Sequence, residues 1–315
     1  MTEAAYALVI GESIVDIVRS PDGHVVEHDG GSGANTAVAL ARLGRPVRFA
    51  TAFAGDDRGV RLGRRLDDAG IRTATDPHVV ARTSSATAEL AEDGSARYDF
   101  DLEWRLGPTT MEYPPHIVHF GSLAAVLQPG ATQVMRLAGR FRDRALVSYD
   151  INMRPTATGV SATVVGAVEL AVSLAHVVKA SNEDLAVLYP GLDLDDAAHR
   201  LLHLGSSAVV VTRGADGAAW FDTKRRIDVA AQPTTVVDTI GAGDTFSAAM
   251  LDALWNEPKP AGLSGPGVCA LLAYGARAAA ITVSRPGANP PRRDELDLDS
   301  REAGGVHPVS VSEAW

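Results

Sequence analysis

The sequence predicts a three-layer α/β/α protein on a mostly parallel central sheet, with a small β-sheet lid beside it. Three observations carry that prediction. Short, apolar, mostly unalternated Val/Ile runs recur between Ala/Leu helical patterns from about residue 35 to residue 285, as parallel strands covered on both faces require. Two segments before residue 103 break that rhythm and read as hairpins. The apolar fraction of 46% suits a chain of 315 residues with a sizeable core, and with 5% aromatics that core must be mainly Ala, Val and Leu.

Taken in order, the strand candidates are Ala7–Ile10, Val47–Phe53, Ile117–Phe120, Ala145–Tyr149, His176–Lys179 and Ala208–Val211. Helical patterns such as Ala131–Phe141, Ala162–Leu174 and Asp195–Leu204 lie between them, giving the βαβ alternation of a parallel sheet. The first hairpin pairs Ile14–Arg19 with His24–His28 around Pro21-Asp22-Gly23. The second pairs Thr87–Glu92 with Ala96–Leu102 around Asp93-Gly94. Its second arm alternates, with Ala96, Tyr98, Phe100 and Leu102 on one face and Arg97, Asp99 and Asp101 on the other, so one face is expected to be wet. On pattern alone the hairpins are either one lid or two unrelated surface features. From about Pro290 the chain turns polar, and residues 291–315, Trp315 included, read as a surface-packed or disordered tail.

The net charge of −10 gives no footprint for nucleic acid or an anionic membrane. The single cysteine, Cys269, allows no intramolecular disulfide and points to a reducing compartment, the cytoplasm. The N-terminus has no basic region of a signal peptide. The apolar stretches Val160–Val178 and Val268–Val283 are interrupted by Glu169 and His176 and by Arg277, and read as buried helices rather than membrane spans.

The chemistry concentrates in Asp238-Thr239-Ile240-Gly241-Ala242-Gly243-Asp244, which runs into a helix with Phe246, Ala249, Met250, Ala253 and Leu254 on one face. The glycines let several N–H groups of Gly241, Ala242 and Gly243 converge, and the helix terminus adds partial positive charge, which makes an anion hole. Asp244 beside a phosphate site suits the general base that takes a proton from an attacking hydroxyl. Read in isolation, the same tetrapeptide is also an ordinary helix start with an acidic first turn.

Here the sequence resembles the ribokinase-like, or pfkB, carbohydrate kinase family over roughly residues 5–290. Asp238–Asp244 is similar to its C-terminal signature and residues 30–44, from Gly30-Gly31-Ser32-Gly33-Ala34-Asn35, to its N-terminal one. Gly11-Glu12 with Asp16 resembles the end of its first strand. Asp150-Ile151-Asn152-Met153-Arg154 resembles its D-x-N-x-R segment, and Thr212-Arg213-Gly214-Ala215-Asp216-Gly217 its nucleotide turn. The resemblance implies a core of residues 1–12, 32–84 and 104–290, a lid of 13–31 and 85–103, and a C-terminal extension of 291–315. It implies an ATP-dependent sugar kinase in which Asp244 is the base and the N–H groups of Ile240 through Gly243 stabilise the phosphoryl group. Asp16, Gly31, Asn35 and Arg154 would hold the sugar, Gly30-Gly31 would be the lid hinge, and Thr212, Gly214 and Gly217 would hold the nucleotide. Asp238, with Gly287-Ala288, resembles the region that binds a monovalent cation such as K⁺.

Mg²⁺ is expected on chemical grounds, to bridge the phosphates. The family's N-x-x-E motif falls on Ser181-Asn182-Glu183-Asp184, so Ser181 stands in the nucleotide-side position and either Asp184 or Glu183 organises the metal. Ile14 and Gly121 stand where ribose-specific members carry polar partners, which argues against ribose. Arg154 is more like fructokinases and 2-keto-3-deoxygluconate kinases, although the Leu-Trp that often follows it is Pro155-Thr156 here. A fructokinase-like substrate is favoured. The alternatives are 2-keto-3-deoxygluconate, ribose or a nucleoside as acceptor, or a non-catalytic regulator on the same fold. The lid's apolar face, together with lid pairing in many members, implies a homodimer. There is no G-x-x-x-x-G-K-[ST], Gly31-Ser32-Gly33 lacks a third dinucleotide-type glycine because Thr36 stands there, and no G-x-S-x-G occurs. His199 and His203 read as packing or surface residues, and Cys269 as inert core.

Overall fold

The computed structural model describes residues 5–91, 95–109, 111, 113–257, 260–296 and 310–313. In chain order it contains β1 (Ala7–Ile10), β2 (Ile14–Arg19), β3 (Val25–Gly30), α1 (Ser32–Arg42), β4 (Val47–Ala50), α2 (Asp57–Asp68) and β5 (Arg72–Thr73). There follow β6 (Ser85–Leu90), β7 (Ala96–Asp101), β8 (Ile117–Gly121), α3 (Gly130–Phe141), β9 (Leu146–Asp150), α4 (Pro155–Thr158), α5 (Ala162–Leu174), β10 (Val177–Ser181), α6 (Asn182–Leu188) and α7 (Leu194–His203). The last are β11 (Ala208–Thr212), β12 (Ala218–Phe221), β13 (Arg225–Val229), α8 (Ala242–Ala253), α9 (Gly265–Val283) and β14 (Ser310–Glu313).

The large sheet runs β14-β13-β12-β11-β10-β9-β8-β1-β4-β5. It is parallel from β5 to β11 and antiparallel from β11 to β14. Successive residues of its central strands serve opposite cores. Leu8 and Ile10 face one apolar cluster with residues of α3, α5, α6 and α7, while Ala7 and Val9 face another with α1, α8 and α9. That two-sided burial is why these strands read as unalternated apolar runs. The chain goes from β1 out to β4 and β5, then returns to β8 on the other side of β1. That reversal opens a crevice at the carboxyl ends of the strands, where α/β sheets bind ligands.

The lid is a second sheet, β3-β2-β6-β7. The two expected hairpins pair antiparallel within themselves, and a parallel β2–β6 ladder joins them. The first turns at Gly23, at φ +85°. Asp93-Gly94 lies outside the described residues. On β7, Tyr98 stacks on Phe100 at 6.1 Å, yet Tyr98 is 54% exposed, and Arg97 and Asp99 are exposed too. Both faces of this outer strand meet water in the single chain, not one.

Several expectations shift. The strand expected over Val47–Phe53 ends at Ala50. The antiparallel β12–β13 pair was not foreseen, nor was β14 inside the expected tail. Leu296 also packs with Leu43, Ala249 and Ala278, so core contacts extend past residue 290. Trp315 lies outside the described residues. The helix read as amphipathic, α8, is buried continuously from Asp244 to Asp252, with Ala253 exposed at its end. It is wedged between α1 and α9, which removes any solvent face. Helix α9 is long and apolar enough to cross a bilayer, at mean hydropathy 1.4. It instead packs Val268, Leu271 and Leu272 into the core, with Cys269 half-buried at that cluster's edge. His199 and Phe221 make a T-shaped ring contact, and the His203 ring meets the His199 carbonyl at 2.8 Å.

Candidate active site

The site is assembled from the carboxyl ends of the parallel strands. Glu12 follows β1, Gly121 ends β8, Asp150 ends β9, Ser181 ends β10 and Thr212 ends β11. Opposite them stands the N-terminus of α8. Gly241 is its N-cap in the left-handed region at φ +77°, and a Cβ there would meet Ala288 at 2.8 Å. Only glycine satisfies both demands. Of the expected anion-hole donors, Ile240 N–H is turned to Asp238 Oδ1 (3.0 Å) and Ala242 N–H to the Thr239 carbonyl (3.3 Å). The N–H groups of Gly241 and Gly243 are the remaining pair, and Gly243 lies in a first helical turn, which offers no helical acceptor. Asp238 Oδ2 also accepts Gly287 N–H at 2.8 Å, so this carboxylate clasps the anion-hole loop to the 285–289 loop.

Asp244 is buried, and each of its oxygens is held. Ser32 Oγ donates to Oδ1 at 2.7 Å and Asn35 Nδ2 donates to Oδ2 at 2.9 Å. Burial raises the Asp244 pKa above the ordinary carboxylate value, the two hydrogen bonds lower it, nearby Asp150 raises it and Arg154 lowers it. Ser32 Oγ accepts from Asn152 Nδ2 at 2.9 Å, and Asn35 Oδ1 accepts from Arg65 Nη2 at 2.8 Å. Glu12 Oε1 accepts Ser32 N–H at 2.9 Å. Beneath the first turn of α8 lies a buried ion pair. Lys179 Nζ donates to both Asp150 oxygens at 3.0 and 2.9 Å, and Ser247 Oγ of α8 donates to the same carboxylate at 2.9 Å.

The sugar-side residues converge on this network. Asp16 is half-buried on β2, and burial raises its pKa against the pull of Arg154, His28 and Arg65. A Cβ on Gly30, across the ladder, would lie 2.1 Å from Asp16 Oδ2, so glycine makes room for that carboxylate. Gly31, at φ +103°, passes the Glu12 carbonyl where a Cβ would sit 2.4 Å away. Arg154 is exposed at the mouth, with Nη1 on the Met153 carbonyl at 3.1 Å. On the far side of Gly243 a cleft of about 590 Å³ is lined by Thr212, Gly214, Gly217, Ala242, Gly243 and Phe246, with alanines of α9 behind. Three expected nucleotide-side residues thus share one cleft with the anion hole.

Ser181 and Asp184 do not join that cleft. Ser181 Oγ accepts Asp184 N–H (3.0 Å) and Asp184 Oδ2 accepts Ser181 N–H (2.8 Å), a reciprocal capping box on α6. Asp184 Oδ1 accepts Met153 N–H at 2.7 Å, tying α6 to the Asp150–Arg154 loop. Both side chains are therefore engaged as caps of α6, with Asp184 buried and Ser181 half-buried. Glu183 is exposed in the first turn of α6. With its amide oriented to satisfy its neighbours, Asn182 donates to Glu183 (2.7 Å) and to the Thr212 carbonyl (3.1 Å). Among the described residues no three metal-ligating side chains cluster. Sequence reasoning missed the roles of Ser32, Arg65, Lys179 and Ser247. Ser32 and Lys179 sit inside or beside recognised motifs, whereas Arg65 carries no local signal.

Comparison with known proteins agrees with this geometry. The model of the pfkB family carbohydrate kinases matches residues 4–295. A fructokinase of Rhizobium leguminosarum bv. trifolii is 30% identical over 258 residues, covering 78% of this chain and 79% of the relative. An aminoimidazole riboside kinase of Salmonella typhimurium is 27% identical over 295 residues, covering 88% and 92%. The crystal structure of a Xylella fastidiosa fructokinase with bound ATP superposes with TM-score 0.80 at 25% identity, covering 94% of this chain and 98% of that one.

Proposed function

The chain belongs to the pfkB family of carbohydrate kinases, phosphotransferases with an alcohol group as acceptor, and from that premise we propose that it transfers the γ-phosphoryl group of ATP to a hydroxyl of a fructose-like sugar. The observation that carries the reading is Asp244. Its buried carboxylate stands one residue after Gly243, between the 590 Å³ cleft and the Asp16, Gly31 and Asn35 side.

In this mechanism Asp244 accepts the proton as the sugar oxygen bonds to the γ-phosphorus and the bond to the bridging oxygen of the leaving ADP breaks. Ser32 and Asn35 keep the carboxylate oriented. The Gly241 and Gly243 N–H groups and the α8 terminus meet the charge on the transferred group. Thr212, Gly214 and Gly217 hold the nucleotide. Mg²⁺ suits a site with one open carboxylate, because it keeps most of its water and takes its remaining ligands from phosphates. Glu183, steadied by Asn182, would hold it through water, and the bound ion supplies neutralisation of phosphate charge. A potassium ion would draw on backbone carbonyls of the two loops that Asp238 clasps.

A neutral sugar is supported by the local charge. Three carboxylates, Glu12, Asp16 and Asp244, lie within electrostatic reach of two cations, Arg154 and Arg65, a balance that suits an uncharged acceptor. The exposed Arg154 favours the second reading, a 2-keto-3-deoxygluconate-type acid held by its bidentate fork. A homodimer through the lid is supported by the open Tyr98–Phe100 stack. The cytoplasm is supported by the single, half-buried cysteine.

The test is Mg²⁺-dependent ADP release with fructose, ribose, 2-keto-3-deoxygluconate and nucleosides. Fructose is expected to give the highest kcat/KM. Asp244→Asn is expected to lower kcat by about 10³-fold, the scale of a lost general base, while ADP affinity holds. Absence of turnover on every acceptor, with nucleotide still bound, would instead favour the binding regulator.

A further inference from the structure

Three arginines project from one side of α2 toward the lid strand β3. Arg58 pairs with Glu27, and Arg61 pairs with Glu27 Oε2 at 3.0 Å and Asp29 Oδ1 at 2.5 Å. Arg65, one turn further along, differs from both. Its Nη1 donates to the backbone carbonyl of Asp29 at 3.1 Å, and its Nη2 reaches inward to Asn35 Oδ1 at 2.8 Å. Asn35 Nδ2 then donates to Asp244 Oδ2 at 2.9 Å. A single half-buried guanidinium thus bridges the last residues of the lid strand and the group that holds the base.

The chemistry of the three groups fixes the direction of this chain. A guanidinium only donates and a carboxylate only accepts, whereas a carboxamide does both and can turn over. With Arg65 on one side of Asn35, the amide oxygen must face it and the amide nitrogen must face Asp244. Without Arg65, the Asp244 contact alone holds that orientation, and Asn35 Oδ1 loses the donor that fixes its other end. The reversed amide would set its oxygen against the Asp244 carboxylate, a repulsive contact. The other prong ties the arrangement to the lid. A lid that swings away carries the Asp29 carbonyl with it, and Arg65 loses one of the two acceptors that hold its fork.

We propose that Arg65 is a positioning residue that couples closure of the lid to alignment of the catalytic base, acting through the orientation of Asn35. This deepens the kinase reading and rests on it. Sequence separation hides the device: Arg65 is 30 residues from Asn35 and Asn35 is 209 from Asp244.

The test compares the full-length wild type with Arg65→Met and Arg65→Lys. For Arg65→Met, kcat for sugar-dependent ADP release is expected to fall about 100-fold, the scale of a misplaced reacting group, while ADP affinity by calorimetry stays within about threefold. Lysine keeps the charge but offers one donor nitrogen in place of two, so Arg65→Lys is expected to fold normally and recover less than about a tenth of the lost kcat. Full recovery in Arg65→Lys overturns the proposal, because charge rather than the fork would then carry the effect. A kcat unchanged in Arg65→Met overturns it as well. Hydrogen exchange gives an arm independent of turnover. In Arg65→Met, segments 25–30 and 31–36 are expected to exchange faster together, and faster exchange confined to α2 overturns the coupling. If the wild type itself turns over no acceptor, the kinase reading fails, and the exchange arm still decides the link between lid and base.

Discussion

Glu12 shows how much a single side chain in this site is shaped by burial. Its Oε1 holds Ser32 N–H, while its Oε2 is buried with no hydrogen-bond partner among the described residues. Desolvation pushes its pKa from 4.5 up to about 7, against the pull of its own and Ser32's backbone N–H and of Arg154. Because the folded pKa lies above the unfolded one, the folded protein binds this proton more tightly. The resulting stability is fully present below about pH 4.5 and is lost as pH rises through about 7. At about 1.4 kcal/mol per unit the difference is roughly 3 kcal/mol. Glu12→Gln is therefore expected to melt several degrees above the wild type at pH 8 and to converge with it at pH 5 and below. Melting curves that stay parallel across that range would show that Glu12 titrates normally. At this scale both ends of the buried Asn35–Asp244 contact stood out, since each residue sits in a recognisable motif. Arg65 did not, because helical position alone gives no sign that a surface-type arginine turns inward.

Among elements, α6 shows a motif resemblance that coincides with a helix start. Ser181-x-x-Asp184 fell where a metal motif was expected, yet at the start of a helix serine and an acid three residues on satisfy orphan N–H groups. Asp184 adds a third bond to Met153. Asp184→Ala is expected to destabilise the protein by about 2 kcal/mol, combining a lost cap with a buried N–H left unpaired, read by urea unfolding. The Mg²⁺ concentration for half-maximal activity should stay within about twofold of wild type, an expectation set by the cap role. Glu183→Gln should raise that concentration and leave stability unchanged. The reverse pattern would make Asp184 the metal residue. The parallel strands were legible because burial on both faces demands short apolar runs. The β12–β13 pair was not, since Arg225-Arg226-Ile227-Asp228-Val229 mixes three charged residues with two apolar positions near the sheet's far edge.

For the whole molecule, the fold class followed from the alternation of strands and helices, and the lid from its two turns. What pattern could not supply was the parallel β2–β6 ladder, which joins strands separated by β3, α1, β4, α2 and β5. The lid also carries the prediction that belongs to this scale. Tyr98 and Phe100 expose an apolar stack, and an uncovered strand edge or face favours a partner. Sedimentation at micromolar concentration is expected to give a two-chain species, and Tyr98→Asp a single chain. A wild type that sediments as one chain would remove the lid dimer. The immersion of α8 between α1 and α9 has a mechanical corollary. Packed along its length, with Ser247 anchored to the buried Lys179–Asp150 pair, it acts as the anvil of the enzyme. A lid that closes over an acceptor would therefore deliver it to a stationary target, with tolerance for slack on the lid side alone.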